Sequence, residues 1–134
     1  MTTADSARRG RILLVEDDHE AAYFAVHVLT TRGHFDVIHT MDPRVALDRT
    51  RSERWDLVLT DLDLPGMTGL DLLAALRQSA PALPVAVITA HSALGPGVAA
   101  ARRDADALLH KPVPADELVE VATALIEKRS LKRM

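Results

Sequence analysis

The sequence predicts an α/β fold: an open, doubly wound parallel sheet with helices on both faces. Three observations predict it. Five short apolar runs alternate with five segments of helical character, the signature of a parallel sheet built from crossover units. Three of those runs are nearly continuous in apolar residues, as strands covered on both faces are. The 134 residues, 48% of them hydrophobic, suffice for one domain with its own core. Only 3% are aromatic, which suits helices packed on a sheet better than a small aromatic-rich barrel. Right-handed crossovers then reduce the topology to a few doubly wound orders.

The elements follow in order. The first apolar run is Ile12 to Val15. After it, Ala21, Phe24, Ala25, Val28 and Leu29 recur at the spacing of one helical stripe, and Gly33 ends that helix. The second run, Phe35 to Ile38, contains Asp36 and is polar at both ends, as an edge strand should be. Asp42 and Pro43 read as the N-cap and first-turn proline of a second helix carrying Val45, Ala46 and Leu47. Leu57 to Leu59 is the third strand, and a helix with Leu70, Leu73 and Leu76 follows it, stopping before Pro81. Val85 to Ile88 is the fourth. The Gly95-Pro96-Gly97 run interrupts the next helix, which is expected to be short, from Val98 to Arg103. Ala107 to Leu109 is the last strand, and Leu118, Val121, Ala122 and Leu125 stripe the last helix. The expected organisation is one domain over residues 11–128, with a flexible N-terminal tail, 1–10, and a basic C-terminal tail, 129–134.

Composition excludes several roles. No apolar run approaches the roughly 18 residues that span a bilayer, and no export signal follows the first basic residues. Cysteine is absent, so disulfides are excluded; the expectation is a cytoplasmic protein. A net charge of −3 points to neither nucleic acid nor an anionic membrane. Arg8, Arg9, Arg11, Lys128, Arg129, Lys132 and Arg133 gather at the two ends and read as solvated tails. The six histidines form no His-x-x-x-His or Cys/His set, which argues against zinc or haem.

Ligands of such folds bind beyond the carboxyl ends of the strands. The first strand is followed there by Glu16, Asp17 and Asp18, and the third, past Thr60, by Asp61. Thr89 follows the fourth and His110-Lys111 the fifth, whereas the second ends in Thr40 and offers nothing comparable. Carboxylates crowded in a partly desolvated cleft repel one another, and a hard cation relieves them. All-oxygen ligation suits Mg²⁺ or Mn²⁺. One carboxylate can then attack phosphorus in line while the Thr89 hydroxyl and Lys111 ammonium hold phosphoryl oxygens. Taken singly, each feature has an ordinary reading: a helix N-terminus, a cap, a solvated lysine. Their coincidence at one edge points to phosphoryl transfer onto Asp61, with later hydrolysis of the acyl phosphate.

These blocks resemble the receiver domain of two-component response regulators over about residues 11 to 128. The segment Ile12 to Asp18 resembles the family's first strand with its acidic pair, and Asp56 to Gly69 its phosphoacceptor block, with Pro65 four residues past Asp61. Pro84 to Ala90 is similar to the fourth-strand block, and Leu108 to Pro112 to the last. The resemblance implies a flavodoxin-like (βα)5 fold with strand order 2-1-3-4-5. It implies Asp61 as phosphoacceptor, Glu16, Asp17, Asp61 and the Asp63 backbone carbonyl as metal ligands, Thr89 as switch hydroxyl and Lys111 as phosphoryl contact. It further implies a signalling switch rather than an ordinary enzyme, catalysing its own phosphoryl transfer and autodephosphorylation. Departures bear on switching: Leu108 stands where the family usually has Tyr or Phe, Asp104 where it commonly has glycine. Signalling is therefore expected to shift order between Ser92 and Arg103 rather than flip a ring. Asp63 and His91, flanking the entry of attacking water in the family, are expected to tune phosphoryl lifetime.

The function expected is a stand-alone receiver phosphorylated by a sensor histidine kinase or histidine phosphotransfer protein. It would switch a downstream protein partner through the face of the fourth helix, fifth strand and fifth helix. Neither direct nucleic-acid nor membrane binding is expected, and the chain should be a monomer or weak dimer. A phosphorylation-independent adaptor, an N-terminal fragment of a larger regulator and a small-substrate Mg²⁺ phosphatase are the alternatives.

Overall fold

The computed structural model describes residues 9–64, 66–90 and 96–133. Its elements are β1 (Arg11–Val15), α1 (His19–Thr31), β2 (Asp36–Thr40), α2 (Pro43–Ser52), β3 (Leu57–Asp61), α3 (Gly69–Ser79), β4 (Val85–Thr89), α4 (Pro96–Asp104), β5 (Ala107–His110) and α5 (Ala115–Arg133). All pairings are parallel, and the sheet order is β2-β1-β3-β4-β5, as expected.

The period of two along each strand divides the core into two layers. Leu13, Val15, Val58, Val85 and Val87 face α2, α3 and α4, where they meet Ala46, Leu47, Leu72, Leu73, Leu76, Val98 and Ala101. Ile12, Leu14, Leu57, Leu59, Ala86 and Ile88 face α1 and α5, meeting Ala22, Ala25, Val28, Leu29, Leu118, Ala122 and Ile126. Each fully buried aliphatic side chain contributes about 1.5–3 kcal/mol, so the central strands are fixed in place by both layers. The helix starts are fixed by caps. Asp18 and Asp42 accept the N–H groups of Glu20 and Arg44 at 3.2 and 2.9 Å, and Thr68 and Asp71 form a reciprocal capping box.

Several local expectations are corrected. On α1, Ala22 is buried while Phe24 is 45% exposed. A line of small residues lets the helix approach the sheet closely, and the larger ring is displaced to its margin. Val45 is likewise exposed. Gly33 does not close α1 through a left-handed conformation; His34 takes that role with φ 59°. Gly33 is required for space, since a Cβ there would lie 2.6 Å from the Phe35 ring and 2.8 Å from the Leu29 carbonyl oxygen. β2 begins one residue later than expected and runs on to Thr40, because Phe35 leaves the ladder to fill the layer beneath α1. α4 starts at Pro96 rather than Val98, since a proline at the first helical position forfeits no intrahelical bond.

Among the described basic residues near the two ends, Arg9, Arg11 and Arg129 make specific contacts. Arg9 donates its N–H to the His34 carbonyl at 2.9 Å, and its guanidinium lies over the Phe35 ring. Arg11 stacks on Trp55 at 4.1 Å, and Arg129 donates to the Trp55 carbonyl at 2.6 Å. α5 passes through the boundary expected at Lys128 and continues to Arg133. Residues 1–8 of the expected N-terminal tail lie outside the described residues. Among the described residues no helix is long and apolar enough to cross a membrane.

Candidate functional site

The carboxyl ends of β1, β3, β4 and β5 converge at one rim. Asp61, the last residue of β3, is paired in register with Ile88, and Thr89 lies one position further along β4. Thr89 pairs in turn with His110, and the Lys111 N–H donates to the Thr89 carbonyl at 2.8 Å. Register alone thus brings Asp61, Thr89 and Lys111 to neighbouring strand ends.

The side chains complete the arrangement. Lys111 Nζ donates to Asp61 Oδ2 at 2.7 Å and lies 3.2 Å from Glu16 Oε2. Asp61 Oδ1 accepts the Asp63 N–H at 3.0 Å, and Glu16 Oε1 accepts the Asp18 N–H at 3.2 Å. Glu16, Asp17 and Asp61 each present a carboxylate oxygen within 4.8 Å of the others. Glu16 and Asp61 are buried and Asp17 is exposed, so the cluster is closed beneath and open to solvent above.

Electrostatics follow from that burial. Loss of hydration, reinforced by the negative Asp61, raises the Glu16 pKa above the ordinary glutamate value, and the Asp18 N–H and Lys111 only partly oppose it. Burial works against the Lys111 ammonium, but the hydrogen bond and attraction of Asp61, with those of Glu16, prevail and raise its pKa. The rim therefore holds more negative charge than one lysine neutralises. Three hard oxygen donors with one open side fit a divalent cation that keeps part of its water shell.

Of the residues singled out from sequence, Glu16, Asp17, Asp61 and Lys111 meet directly. Thr89 is fully buried at the same rim. Asp63 touches the Asp61 carboxylate through its backbone N–H. Leu108, half-buried, packs against the layer that contains Val85, Val87 and Val98. His91 and Pro65 lie outside the described residues, as does the first part of the region expected to change order.

Two residues at the site escaped the sequence reading. Gly69 opens α3 against the Asp61–Leu62 backbone, where a Cβ would overlap the Asp61 carbonyl oxygen. Its place in the phosphoacceptor block was a signal without a reason. The other is His39: β2, expected to contribute nothing, sets His39 Nε2 2.7 Å from the Glu16 carbonyl oxygen. Reading the residue before the strand end, as well as the one after it, would have found it.

Comparison with known proteins agrees with this geometry. The response regulator receiver domain family matches residues 12–123, and the chain belongs to that family. Receiver domains are the switching modules of two-component signalling and not classical enzymes. Among its relatives, the transcriptional regulatory protein TctD of Salmonella typhimurium is 35% identical over 118 residues, covering 88% of this chain and 52% of TctD. The DNA-binding transcriptional regulator NtrC of Escherichia coli is 35% identical over 121 residues, covering 90% of this chain and 25% of NtrC. The chain thus spans about half the length of one and a quarter of the other. A CheY-like receiver domain from Methanospirillum hungatei superposes with a TM-score of 0.84 at 25% identity, covering 91% of this chain and 97% of its own. NtrX from Brucella abortus gives 0.82 at 32% identity, over 92% of this chain and 28% of NtrX.

Proposed function

We propose that this receiver accepts a phosphoryl group on Asp61 from a sensor histidine kinase or histidine phosphotransfer protein, and thereby switches a downstream protein partner. The observation that carries this is the 2.7 Å contact of Lys111 Nζ with Asp61 Oδ2, made beside the Glu16 and Asp17 carboxylates. A carboxylate oxygen of Asp61 attacks phosphorus in line. The bond from phosphorus to the donor's imidazole nitrogen breaks as the new oxygen–phosphorus bond forms, and the imidazole leaves. Water later attacks phosphorus, releasing inorganic phosphate and restoring the Asp61 carboxylate.

Each residue has a role in that exchange. Lys111 meets the charge that develops on the transferred group, from the edge of the core where one ammonium counts for most; its 2.7 Å contact with Asp61 supports that role. The Asp63 N–H orients the Asp61 carboxylate by holding Oδ1. Thr89, one register position along the rim, supplies a hydroxyl for a phosphoryl oxygen. Glu16, Asp17 and Asp61, with the Asp63 carbonyl, would hold Mg²⁺ or Mn²⁺, which when bound offsets the negative charge of the transferred group. The Asp63 side chain, exposed beside the acceptor, tunes the entry of water, and His91 shares that role.

The switch is read on the α4-β5-α5 face. Leu108 has no ring to swing, so movement of Thr89 is passed to the packing of α4 through the apolar layer that Leu108 joins. Incubation with acetyl phosphate and Mg²⁺ tests the reading by intact mass: one phosphoryl group is added, and Asp61→Asn abolishes it. An unmodified wild type would identify an adaptor instead, and rapid turnover of external phosphoesters a phosphatase. Amide exchange over Pro96–Asp104 should change on phosphorylation; unchanged protection there removes the proposed route of signalling.

A further inference from the structure

Between the end of β1 at Val15 and the start of α1 at His19 the chain has three residues, all acidic: Glu16 and Asp17 beside Asp61, and Asp18 as the helix N-cap. Glu16 lies in that turn with both sides of its backbone held by β2. Its N–H donates to the Thr40 carbonyl at 3.1 Å, and its own carbonyl oxygen lies 2.7 Å from His39 Nε2. A carbonyl oxygen only accepts, so Nε2 carries the proton of this bond. That carbonyl belongs to the planar peptide unit joining Glu16 to Asp17. Holding both peptide units that flank Glu16 fixes the direction in which its side chain leaves the backbone, and the second of them also fixes the position from which Asp17 starts.

Asp17 depends most on this. Glu16 has further ties through its carboxylate, to the Asp18 N–H and to Lys111. Among the described residues no hydrogen bond or ion pair holds the Asp17 carboxylate, which is exposed, so the peptide unit before it is the nearest part of the chain that is tied down.

We infer that His39 is a positioning residue for the divalent-cation site: its ring N–H holds the Glu16–Asp17 peptide unit in the orientation that turns both carboxylates toward Asp61. The inference rests on reading Glu16, Asp17 and Asp61 as a cation centre. It assigns to the edge strand, β2, a part in a site otherwise built from β1, β3, β4 and β5.

The test is Mn²⁺ affinity by calorimetry for wild type, His39→Leu and His39→Gln, with metal-free thermal midpoints measured beside it. Leucine keeps the bulk and removes the donor. Glutamine returns an N–H donor at similar reach. Losing one hydrogen bond should weaken Mn²⁺ binding by about three- to tenfold in His39→Leu, and His39→Gln should return to within about twofold of wild type. Unchanged affinity in His39→Leu overturns the role of His39, whatever happens to its midpoint. Equal weakening in both variants overturns it too, because the ring's packing rather than its N–H would then be responsible. A wild type that binds no Mn²⁺ overturns the cation centre and this inference together.

Discussion

Gly69 marks how tightly Asp61 is held. A Cβ there would overlap the Asp61 carbonyl oxygen and crowd the Leu62 backbone, and neither can yield without moving Asp61 itself. Gly69→Ala should therefore destabilise the fold by about 1–3 kcal/mol, read as a lower urea midpoint, and should also slow phosphorylation by acetyl phosphate. A variant with wild-type midpoint and rate would show that α3 can shift freely. Glu16 gives a second prediction, with a sign. Its folded pKa is raised, first by burial and then by Asp61, so the folded state retains a proton that the unfolded state loses. Stability of the metal-free protein must then fall as pH rises from about 4.5 through the raised value. Glu16→Gln removes that penalty: its metal-free urea midpoint at neutral pH should exceed wild type, while its Mn²⁺ affinity drops. A lower midpoint than wild type would contradict the assigned burial cost. At this scale the sequence revealed what side-chain type carries, namely acids, an alcohol and an amine at strand ends. It concealed what distance carries: the space denied at Gly69 and Gly33, and the His39 bond, depend on neighbours far away in the chain.

Arg77 binds three elements together from α3. Its guanidinium donates to the Asp104 carbonyl at the end of α4, to the Leu83 carbonyl before β4, and to Asp106 Oδ2 before β5 at 2.6 Å. Asp106 Oδ2 also accepts the Val85 N–H at 2.8 Å. Arg77→Leu leaves those acceptors without their cation, which should lower stability by about 1–3 kcal/mol and raise amide exchange at the end of α4 before that of β1 or β3. Uniform exchange across the sheet would mean that the arginine does not anchor α4 in particular. A second cluster joins α2 to β1: Glu53 accepts from Arg49 at 2.7 Å and from Arg11 at 3.0 Å, and both arginines lie over Trp55. The Arg49 hydrogen bond, then that of Arg11, pull the Glu53 pKa from 4.5 down to about 2. A depressed folded pKa stabilises above the unfolded value and is lost as pH falls through the folded one. Acid unfolding should therefore lose a component between about pH 4.5 and about pH 2, diminished by salt, that Glu53→Gln lacks. Identical acid titrations of stability would remove the assignment. Element types were legible because period and punctuation are local: Asp42-Pro43 opens α2 as expected. Faces were less so. Which side of α1 is buried depends on how close the sheet lies, and that is decided by Ala22 and Ala25 together with the strands beneath them.

The whole molecule sets unlike chemistry at its two rims. At the amino ends of the strands, the described cations Arg9, Arg11 and Arg129 already meet Phe35, Trp55, Glu53 and backbone carbonyls. At the carboxyl ends, Glu16, Asp17 and Asp61 outnumber Lys111, and the surplus charge is a cost that the two apolar layers carry. Strand order was legible only as a small set, since alternation restricts topology without choosing among its members; that both edges would leave β1 and β3 adjacent, bringing Glu16 to Asp61, came from the resemblance. The consequence for stability is global, because a cation held between β1 and β3 binds a geometry that exists only when the sheet is assembled. Binding to the folded state alone at 100 times the dissociation constant adds about 2.7 kcal/mol. Mg²⁺ should therefore raise the thermal midpoint by several degrees, a chelator should reverse it, and Asp61→Asn should respond less. Glu16→Gln should begin higher without metal and gain less from it, so that the two proteins converge as Mg²⁺ is added. Parallel rises in wild type and Glu16→Gln would place the bound cation away from this rim.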